Sequence, residues 1–166
     1  MLTGVPGIGK TTIIQRVLSE LSVNAGGFYT QEVRQEGVRK GFRIVSLDGE
    51  EGILAHVDFK SRYRVGKYGV NREDMERVGV AALERALRDS DLIIMDEIGK
   101  MELFSSQFQE AVLRCLDSPQ RVLGTIQKRQ TPFIDSICSR KDVTLLEVTS
   151  ANRVAVVQKI LDVFHE

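Results

Sequence analysis

The sequence predicts an α/β domain in which a mostly parallel central sheet lies between helices on both faces. Short apolar runs at 92–96 (LIIMD) and 121–126 (RVLGTI) are typical of strands buried in a parallel sheet. These runs alternate along the chain with segments of helical periodicity, which is the pattern of an α/β fold. A third observation is the segment 41–57, whose turn signal at Asp48-Gly49 predicts an antiparallel hairpin inserted near residues 35–57.

The remaining elements follow from local signals. Asn71 is expected to cap a helix whose apolar side chains begin at Met75. Thr131 and Pro132 have the pattern of a helix start, because proline is favoured at the first helical position. The other expected elements are helices over 10–21, 105–117 and 152–164 and strands over 26–33 and 143–148.

Length and composition limit the classes of protein to which this chain can belong. It has 166 residues, of which 42% are hydrophobic, and this suits one domain over residues 1–166. The 23 basic and 23 acidic residues cancel, so bulk charge indicates neither a nucleic-acid nor a membrane partner. Cys115 and Cys138 lack metal-type spacing, and we expect core thiols. With no signal-peptide pattern or membrane-length apolar run, we expect a cytoplasmic protein, and a monomer.

A glycine-rich loop at the start of the chain leads directly into a helix. Only three residues precede it, so the first strand is short or begins in a longer chain. The loop matches G-x-x-x-x-G-K-S/T at every fixed position, and we call residues 4–11 the P-loop. Its glycines let successive N–H groups turn toward an anion, and the helix dipole adds to that attraction. The residues assigned to nucleotide binding here are Gly4, Val5, Pro6, Gly7, Ile8, Gly9, Lys10, Thr11 and Thr12.

Within this site, Lys10 is expected to reach the β- and γ-phosphates as a catalytic cation, and the Thr11 hydroxyl is expected to bind Mg²⁺. Asp96 ends a buried strand, where an unpaired carboxylate is costly unless a cation such as Mg²⁺ compensates it. Glu97 follows at once and can deprotonate a water that attacks the γ-phosphate. The pair therefore favours hydrolysis over transfer to a second substrate.

Other polar residues have weaker claims on the site. Thr125 ends a neighbouring strand and is a candidate to sense the γ-phosphate or to hold the attacking water. Glu32 is a candidate to orient water or Mg²⁺. Asn152 and Arg153 open the last helix, where Asn152 can cap the helix or bond the ribose and Arg153 can stack on the base. The arginines available to neutralise charge on the γ-phosphate are Arg34, Arg43, Arg64, Arg129 and Arg153, and none is preferred.

Two segments leave alternatives open. Asp96 and Gly99 match the D-x-x-G of switch GTPases, but SRKD at 139–142 lacks the asparagine of the guanine-reading motif. No other run offers a code for one base, so broad use of ATP, GTP, CTP and UTP is expected. The segment 63–69 (YRVGKYG) mixes aromatic and basic residues, and it can be a solvated loop, a nucleotide lid or a nucleic-acid contact.

Several blocks together resemble the small nucleoside-triphosphatase family first known from thermophiles, which has cancer-related relatives in animals. The blocks are GVPGIGKTT, GGFYTQEVRQEGVRKGFRIVSLDG, YRVGKYGVN, DEIGKMEL, LGTI and NR, in that order. The resemblance implies a three-layer P-loop NTPase sandwich and slow, Mg²⁺-dependent hydrolysis of nucleoside triphosphates to diphosphate and phosphate. It also implies nucleotide contact for a segment around the acidic pair, comprising Leu92, Ile93, Ile94, Met95, Asp96, Glu97, Ile98 and Gly99.

Two other functions remain compatible with the same motifs. A kinase of a small metabolite or a nucleic-acid end would use the P-loop in the same way, with Glu97 activating an acceptor hydroxyl. A regulatory or nucleic-acid-binding module would switch on nucleotide occupancy alone. Phosphate release with ATP and Mg²⁺ and no other addition distinguishes the hydrolase from both.

Overall fold

The computed structural model describes residues 1–128 and 131–165. A single sheet runs through the whole protein. In these residues it has nine strands. They are β1 (Leu2–Thr3), β2 (Ala25–Gln35), β3 (Val38–Ser46), β4 (Glu51–His56), β5 (Arg64–Val65), β6 (Tyr68–Val70), β7 (Leu92–Ile98), β8 (Arg121–Ile126) and β9 (Leu146–Glu147). The spatial order is β5-β6-β4-β3-β2-β7-β8-β1-β9.

The sheet has a parallel half and an antiparallel half that meet at β2. Strands β2, β7, β8, β1 and β9 are parallel, and Tyr29 of β2 lies opposite Asp96 of β7. Strands β3, β4, β6 and β5 continue from β2 in antiparallel pairs. The expected hairpin is therefore present, but it belongs to a larger antiparallel extension. The segment 63–69 contributes β5 and β6 to that extension instead of forming a solvated loop.

Glycine allows β2 and β7 to approach each other closely. Gly27 of β2 has φ +109°, and a Cβ there would lie only 2.0 Å from the Ile94 carbonyl oxygen of β7. Any side chain at Gly27 would push β2 and β7 apart, whereas a Cβ on the neighbouring Gly26 would collide with Ser90 and Ala86.

Six helices lie on the described residues. They are α1 (Lys10–Glu20), α2 (Arg72–Asp74), α3 (Ala81–Asp89), α4 (Ser106–Asp117), α5 (Pro132–Cys138) and α6 (Arg153–Phe164). A π-helical turn over Met75–Val80 joins α2 to α3, and a short 3₁₀ turn covers Glu102–Phe104. The predicted caps are confirmed, because Asn71 accepts from the Asp74 N–H and Thr131 accepts from the Ile134 N–H. None of these helices has both the length and the apolar character that are needed to cross a membrane.

Two hydrophobic clusters, one on each face of the sheet, complete the predicted three layers. On one face α1 and α6 bury Ile13, Val17 and Ile160 against the parallel strands. On the other face, α3, α4 and α5 pack against the sheet, and Phe108 meets Phe28 edge to face at 5.6 Å. Cys115 is fully buried as expected, whereas Cys138 is only partly buried. The expected strand at 143–148 is shorter in the structure, where β9 contains only Leu146–Glu147.

Because the five parallel strands run in one direction, their carboxyl ends meet at one edge of the sheet. The P-loop follows β1 at this edge, the turn at Gly99 follows β7, and Gln127 follows β8. Hydrogen bonds tie these segments together. The Gln127 N–H donates to the Ile98 carbonyl, and the Val148 N–H donates to the Thr3 carbonyl.

A carboxyl group is buried beneath the turn that follows β7. Glu102 is 4% exposed, and its Oε2 accepts a hydrogen bond from the Gly99 N–H at 3.1 Å. Burial is the main reason that its pKa is raised to about 8, and the nearby carboxylates of Glu97 and Asp96 add to the effect. Glu102 therefore holds the turn as a neutral carboxylic acid below that pH.

We expect Glu102→Gln to become more stable relative to the parent protein as pH rises. Because folding raises the pKa of Glu102, protonation of this group stabilises the folded protein, and the effect is complete below the ordinary pKa of 4.5. This stabilisation is lost as pH rises through about 8. The shift corresponds to a relative gain for Glu102→Gln of up to roughly 5 kcal/mol, at about 1.4 kcal/mol per pKa unit. Urea unfolding from about pH 5 to about pH 9 measures the difference. Glu110→Gln, an exposed change on α4, is the control, and parallel pH profiles for Glu102→Gln and the parent would contradict the assignment.

Candidate functional site

The P-loop has the backbone geometry that an anion-binding loop requires. Gly4 has φ +153°, and a Cβ there would lie 2.8 Å from the Val148 carbonyl oxygen. Gly7 and Gly9 also have positive φ. The loop is closed by a hydrogen bond from the Ile8 N–H to the Val5 carbonyl at 3.2 Å. This backbone curls around the start of α1 in the way that the sequence motif predicts.

The amino end of α1 is left open for an anion. Side chains cap α2, α4 and α5, but the N-cap of α1 is Gly9, which has no side chain, and the first turn contains no acidic residue. The N–H groups of a first helical turn have no partner within the helix and carry the positive end of its dipole. In α1 these donors face the cavity lined by the P-loop, where phosphate oxygens can accept from them.

Lys10 and Glu97 face each other in this cavity. The Lys10 Nζ lies 3.7 Å from the Glu97 Oε2 and donates to the Gly4 carbonyl at 2.8 Å. Gln127 holds the other carboxylate oxygen, because its Nε2 donates to the Glu97 Oε1 at 3.2 Å. The Gln127 side-chain oxygen in turn accepts from the Lys100 N–H. Glu97 is therefore aimed at the P-loop from the end of β7.

Asp96 lies behind this pair and is almost completely buried. It is 3% exposed, and its Oδ1 accepts a hydrogen bond from the Thr125 hydroxyl at 2.7 Å. Its Oδ2 is also buried and has no hydrogen-bond partner among the described residues, although the Thr11 hydroxyl is near enough to influence the carboxyl group. A buried carboxylate oxygen without a partner is costly, so this site calls for a further positive group.

The two acidic side chains have raised pKa values for the same main reason. Burial raises the pKa of Asp96, while the hydroxyls of Thr125 and Thr11 and the charge of Lys10 oppose the rise. Burial also raises the pKa of Glu97, against the charge of Lys10 and the hydrogen bond from Gln127. A carboxylate with a raised pKa is a stronger base, so Glu97 is suited to accept a proton.

The donor set around Asp96 fits Mg²⁺. The unpartnered Oδ2 of Asp96 and the hydroxyl of Thr11 are oxygen ligands, which Mg²⁺ prefers. Within the described ranges, no three His, Cys, Asp or Glu side chains cluster as a metal cage. A cation here would therefore take its other ligands from phosphates and water, which is the usual arrangement for Mg²⁺ in phosphate-binding sites.

The cavity has a second wall opposite the P-loop. The cavity has a volume of about 740 Å³ and is bounded on this side by the antiparallel extension. Phe42 and Tyr68 form an edge-to-face pair at 5.4 Å, and the Arg39 guanidinium lies over both rings. The residues that line this wall are Glu32, Arg39, Phe42, Val65, Gly66 and Tyr68.

The structure brings some of the predicted site residues to the cavity and leaves others outside it. Lys10, Thr11, Thr12, Glu97 and Glu32 line it, together with most of the P-loop. The first part of β7 does not, because its apolar side chains belong to the two hydrophobic clusters. These residues are Leu92, Ile93, Ile94 and Met95. The buried Ile98 is also a core residue, and the Gly99 N–H is engaged by Glu102.

Thr125 does not occupy the position expected for a group that touches the γ-phosphate. It is fully buried, and its hydroxyl donates to Asp96. Leu2 of β1 is paired with Thr125 in the sheet, and Thr125 is not among the residues that line the cavity. Thr125 therefore orients the Asp96 carboxylate and does not face the cavity.

Asn152 and Arg153 lie on the outer side of the P-loop. The Asn152 side chain accepts from the Thr149 N–H and donates to the Glu147 carbonyl, both at 2.8 Å, so it braces the loop before α6. The Arg153 side chain packs against Gly9, where its Cδ lies 3.3 Å from the position that a Cβ would occupy. Neither residue lines the cavity of the acidic pair.

Of the five arginines considered from the sequence, none lines this cavity among the described residues. Arg34 pairs with Glu32 and Arg43 with Glu51. Arg64 donates to the Lys67 carbonyl, and Arg153 packs against Gly9. Arg129 lies outside the described residues. The arginine that the structure places in the cavity is Arg39, which sequence reasoning missed.

Gln127, Arg39 and Tyr68 were all missed from the sequence. Gln127 had a usable signal, because it directly follows a buried parallel strand whose end meets the P-loop edge. Arg39 and Tyr68 had no such signal, since their position depends on pairing within the antiparallel extension.

Comparison with known proteins agrees with this geometry. The model of a family described as NTPase matches residues 1–161. The nucleoside-triphosphatase THEP1 of Thermotoga sp. (strain RQ2) is 53% identical over 163 residues, covering 98% of this chain and 93% of that protein. The crystal structure of THEP1 from Aquifex aeolicus has a TM-score of 0.90 at 37% identity, covering 99% of this chain and 98% of that chain.

A second solved structure, the solution structure of a human cancer-related nucleoside triphosphatase, has a TM-score of 0.83 at 38% identity. It covers 98% of this chain and 95% of that chain. The matches extend over nearly the whole sequence. The chain therefore belongs to the nucleoside-triphosphatase family of the THEP1 proteins.

Proposed function

We propose that this chain hydrolyses nucleoside 5′-triphosphates to diphosphate and phosphate at the P-loop, with Mg²⁺ and with little preference for the base. The observation that carries the proposal is the contact of Lys10 and Glu97 across the cavity, at 3.7 Å. In this contact Lys10, a cation suited to bind phosphate, lies beside Glu97, a carboxylate whose pKa is raised. The names of the relatives support the hydrolase over a kinase or a nucleotide-controlled binding module.

The residues of this chain divide the work in a simple way. The P-loop N–H groups and the amino end of α1 hold the phosphates, and Lys10 moves from Glu97 toward the β- and γ-oxygens when they arrive. Glu97, released from Lys10 and still oriented by Gln127, accepts a proton from the attacking water. Asp96 and Thr11 are the residues that would hold Mg²⁺, which when bound supplies positive charge to the phosphate oxygens.

The base is proposed to be held without a specific hydrogen-bonding code. The P-loop, Lys10 and the acidic pair are suited to phosphates and a metal, which all nucleoside triphosphates share. Arg153, which packs beside Gly9, is proposed to stack on a flat ring from the outer side of the P-loop, and Asn152 is proposed to contact the ribose. Turnover is proposed to be slow, on the order of P-loop enzymes that act without a partner protein.

We expect Glu97→Gln to separate binding from chemistry. It should lose about 10²–10⁴ in kcat, the range for a removed general base, while triphosphate affinity changes little. Lys10→Ala should lose both phosphate release and affinity, because it removes the cation at the phosphates. Phosphate release with ATP and Mg²⁺, together with equilibrium binding of a non-hydrolysable triphosphate, measures both quantities.

The control for this experiment is Lys159→Ala, an exposed lysine on α6 away from the cavity, which should behave as the parent protein. Near-parent phosphate release by Lys10→Ala would remove the site assignment. Equal loss of binding and rate in Glu97→Gln would show that Glu97 has a structural role.

Competition among the four triphosphates tests the proposed breadth. A site that stacks on a base rejects analogues weakly, whereas one that hydrogen-bonds a base edge rejects them strongly. We expect kcat/KM for ATP, GTP, CTP and UTP to fall within roughly two orders of magnitude, about 3 kcal/mol in transition-state stabilisation. Assays with pairs of triphosphates in one mixture give the ratios. A single base preferred by a thousandfold or more would reveal a base-reading pocket.

A further inference from the structure

The cavity is more positive than the P-loop alone would make it. Its described lining contains two carboxylates, Glu32 and Glu97, and a larger set of cations, namely Lys10, Arg39, Lys100 and Lys128. Each wall contributes to this charge, so a group bound between them meets positive side chains from two directions. The γ-phosphoryl group develops charge on three equatorial oxygens in the transition state, and one lysine does not contact all three.

The cations of the cavity differ in what they can offer. Lys128 donates to Glu147, and Lys100 is an exposed lysine anchored by its backbone N–H. Arg39 has a planar fork of donors, which suits phosphoryl oxygens better than a lysine does. It is also the arginine that lines the cavity in the described part of the chain.

Arg39 is held in place by its neighbours on the second wall. Its Nε donates to the Tyr68 hydroxyl at 2.9 Å, and its Nη1 donates to the Glu32 carboxylate at 3.3 Å. Its guanidinium carbon lies 5.1 Å from the centre of the Phe42 ring. These contacts use two of the three nitrogens, and Nη2 donates to no residue of the described ranges. Because Arg39 lines the cavity, this nitrogen is available to an anion there.

We propose that Arg39 is a catalytic residue of the triphosphatase reaction, which contacts the γ-phosphate from the wall opposite Lys10 and stabilises the charge of the transition state. The proposal rests on the proposed P-loop site. Glu32 and Tyr68 act as positioning residues, because they fix two nitrogens of the fork and leave the third without a partner among the described residues. An arginine that belongs to the chain itself is consistent with measurable turnover without a partner protein.

The experiment compares Arg39→Ala with a closely matched control, Arg43→Ala. Both arginines lie on β3, both side chains are 42% exposed and each pairs with a glutamate, but Arg43 does not line the cavity. Arg39→Ala should lower kcat by about 10³-fold, the lower end for a catalytic arginine in a P-loop enzyme. Arg43→Ala should keep the parent kcat. Thermal unfolding of both variants reports whether they fold.

Binding measurements separate a catalytic role from a structural one. Arg39→Ala should weaken the complex with ADP, Mg²⁺ and aluminium fluoride, which mimics the transition state, by about the factor lost in kcat. Its affinity for a non-hydrolysable triphosphate should change by less than about threefold. If Arg39→Ala fails to fold, Arg39→Lys keeps the charge over Phe42 and Tyr68 but loses the fork, and it should show the same selective loss.

Equal kcat in the Arg39 and Arg43 variants would overturn the proposal, and so would parallel weakening of both nucleotide complexes. Failure of the proposal for Arg39 can be distinguished from failure of the proposed function. If Lys10→Ala abolishes turnover and Arg39→Ala does not, the P-loop site stands and the role of Arg39 is rejected. If Lys10→Ala retains turnover, the P-loop site itself is rejected.

Discussion

The arrangement of the site depends on one buried carboxylate that the protein does not fully satisfy. Asp96 lies near the carboxyl end of β7, where the Thr125 hydroxyl donates to one carboxylate oxygen and the other has no partner among the described residues. Desolvation makes such a group costly, and a folded protein with an apolar residue there would avoid the cost. The unpartnered oxygen of Asp96 supports the proposal that a cation binds here together with the substrate. Glu97 follows Asp96 directly, and the Thr11 hydroxyl lies near the Asp96 carboxyl group, so the three side chains surround one site.

The parallel sheet explains why these groups meet. Strands β1, β7 and β8 end together, so the P-loop, the acidic pair and Gln127 meet at one edge although they are distant in sequence. The antiparallel extension adds a second wall to this edge. A P-loop domain without such an extension would leave its phosphates open on that side. Here Arg39, Phe42 and Tyr68 line the same cavity as the loop, so a single chain supplies both walls of the site.

Local signals were sufficient to predict much of this molecule from its sequence. The P-loop, the capped helix at Asn71 and the buried strand before Asp96 are each specified by residues close together in the chain. The fold class followed from their alternation. The structure confirms these features. They could be predicted because backbone sterics, capping and burial act over a few residues.

The other features depend on long-range pairing and were not predictable in the same way. Strands β5 and β6 have two and three residues, and they exist because β4 provides a partner for β6. Arg39 lies on β3 opposite Arg34 of β2, and its contact with Tyr68 of β6 depends on the pairing of β6 with β4, so its spacing in the sequence carried no signal. Thr125 was placed at the correct strand end, but the direction of its hydroxyl toward Asp96 depends on the neighbouring strand.

The most direct test of this account is the Asp96→Asn variant. Nucleotide affinity with and without Mg²⁺, together with the free energy of unfolding without nucleotide, should be compared with the parent protein and with Asp162→Asn, an exposed change on α6. The account predicts that Asp96→Asn is no less stable than the parent, because a buried charge is removed. It also predicts that the gain in affinity from Mg²⁺ falls by about 10–100-fold. A destabilised variant with an unchanged Mg²⁺ effect would contradict the account.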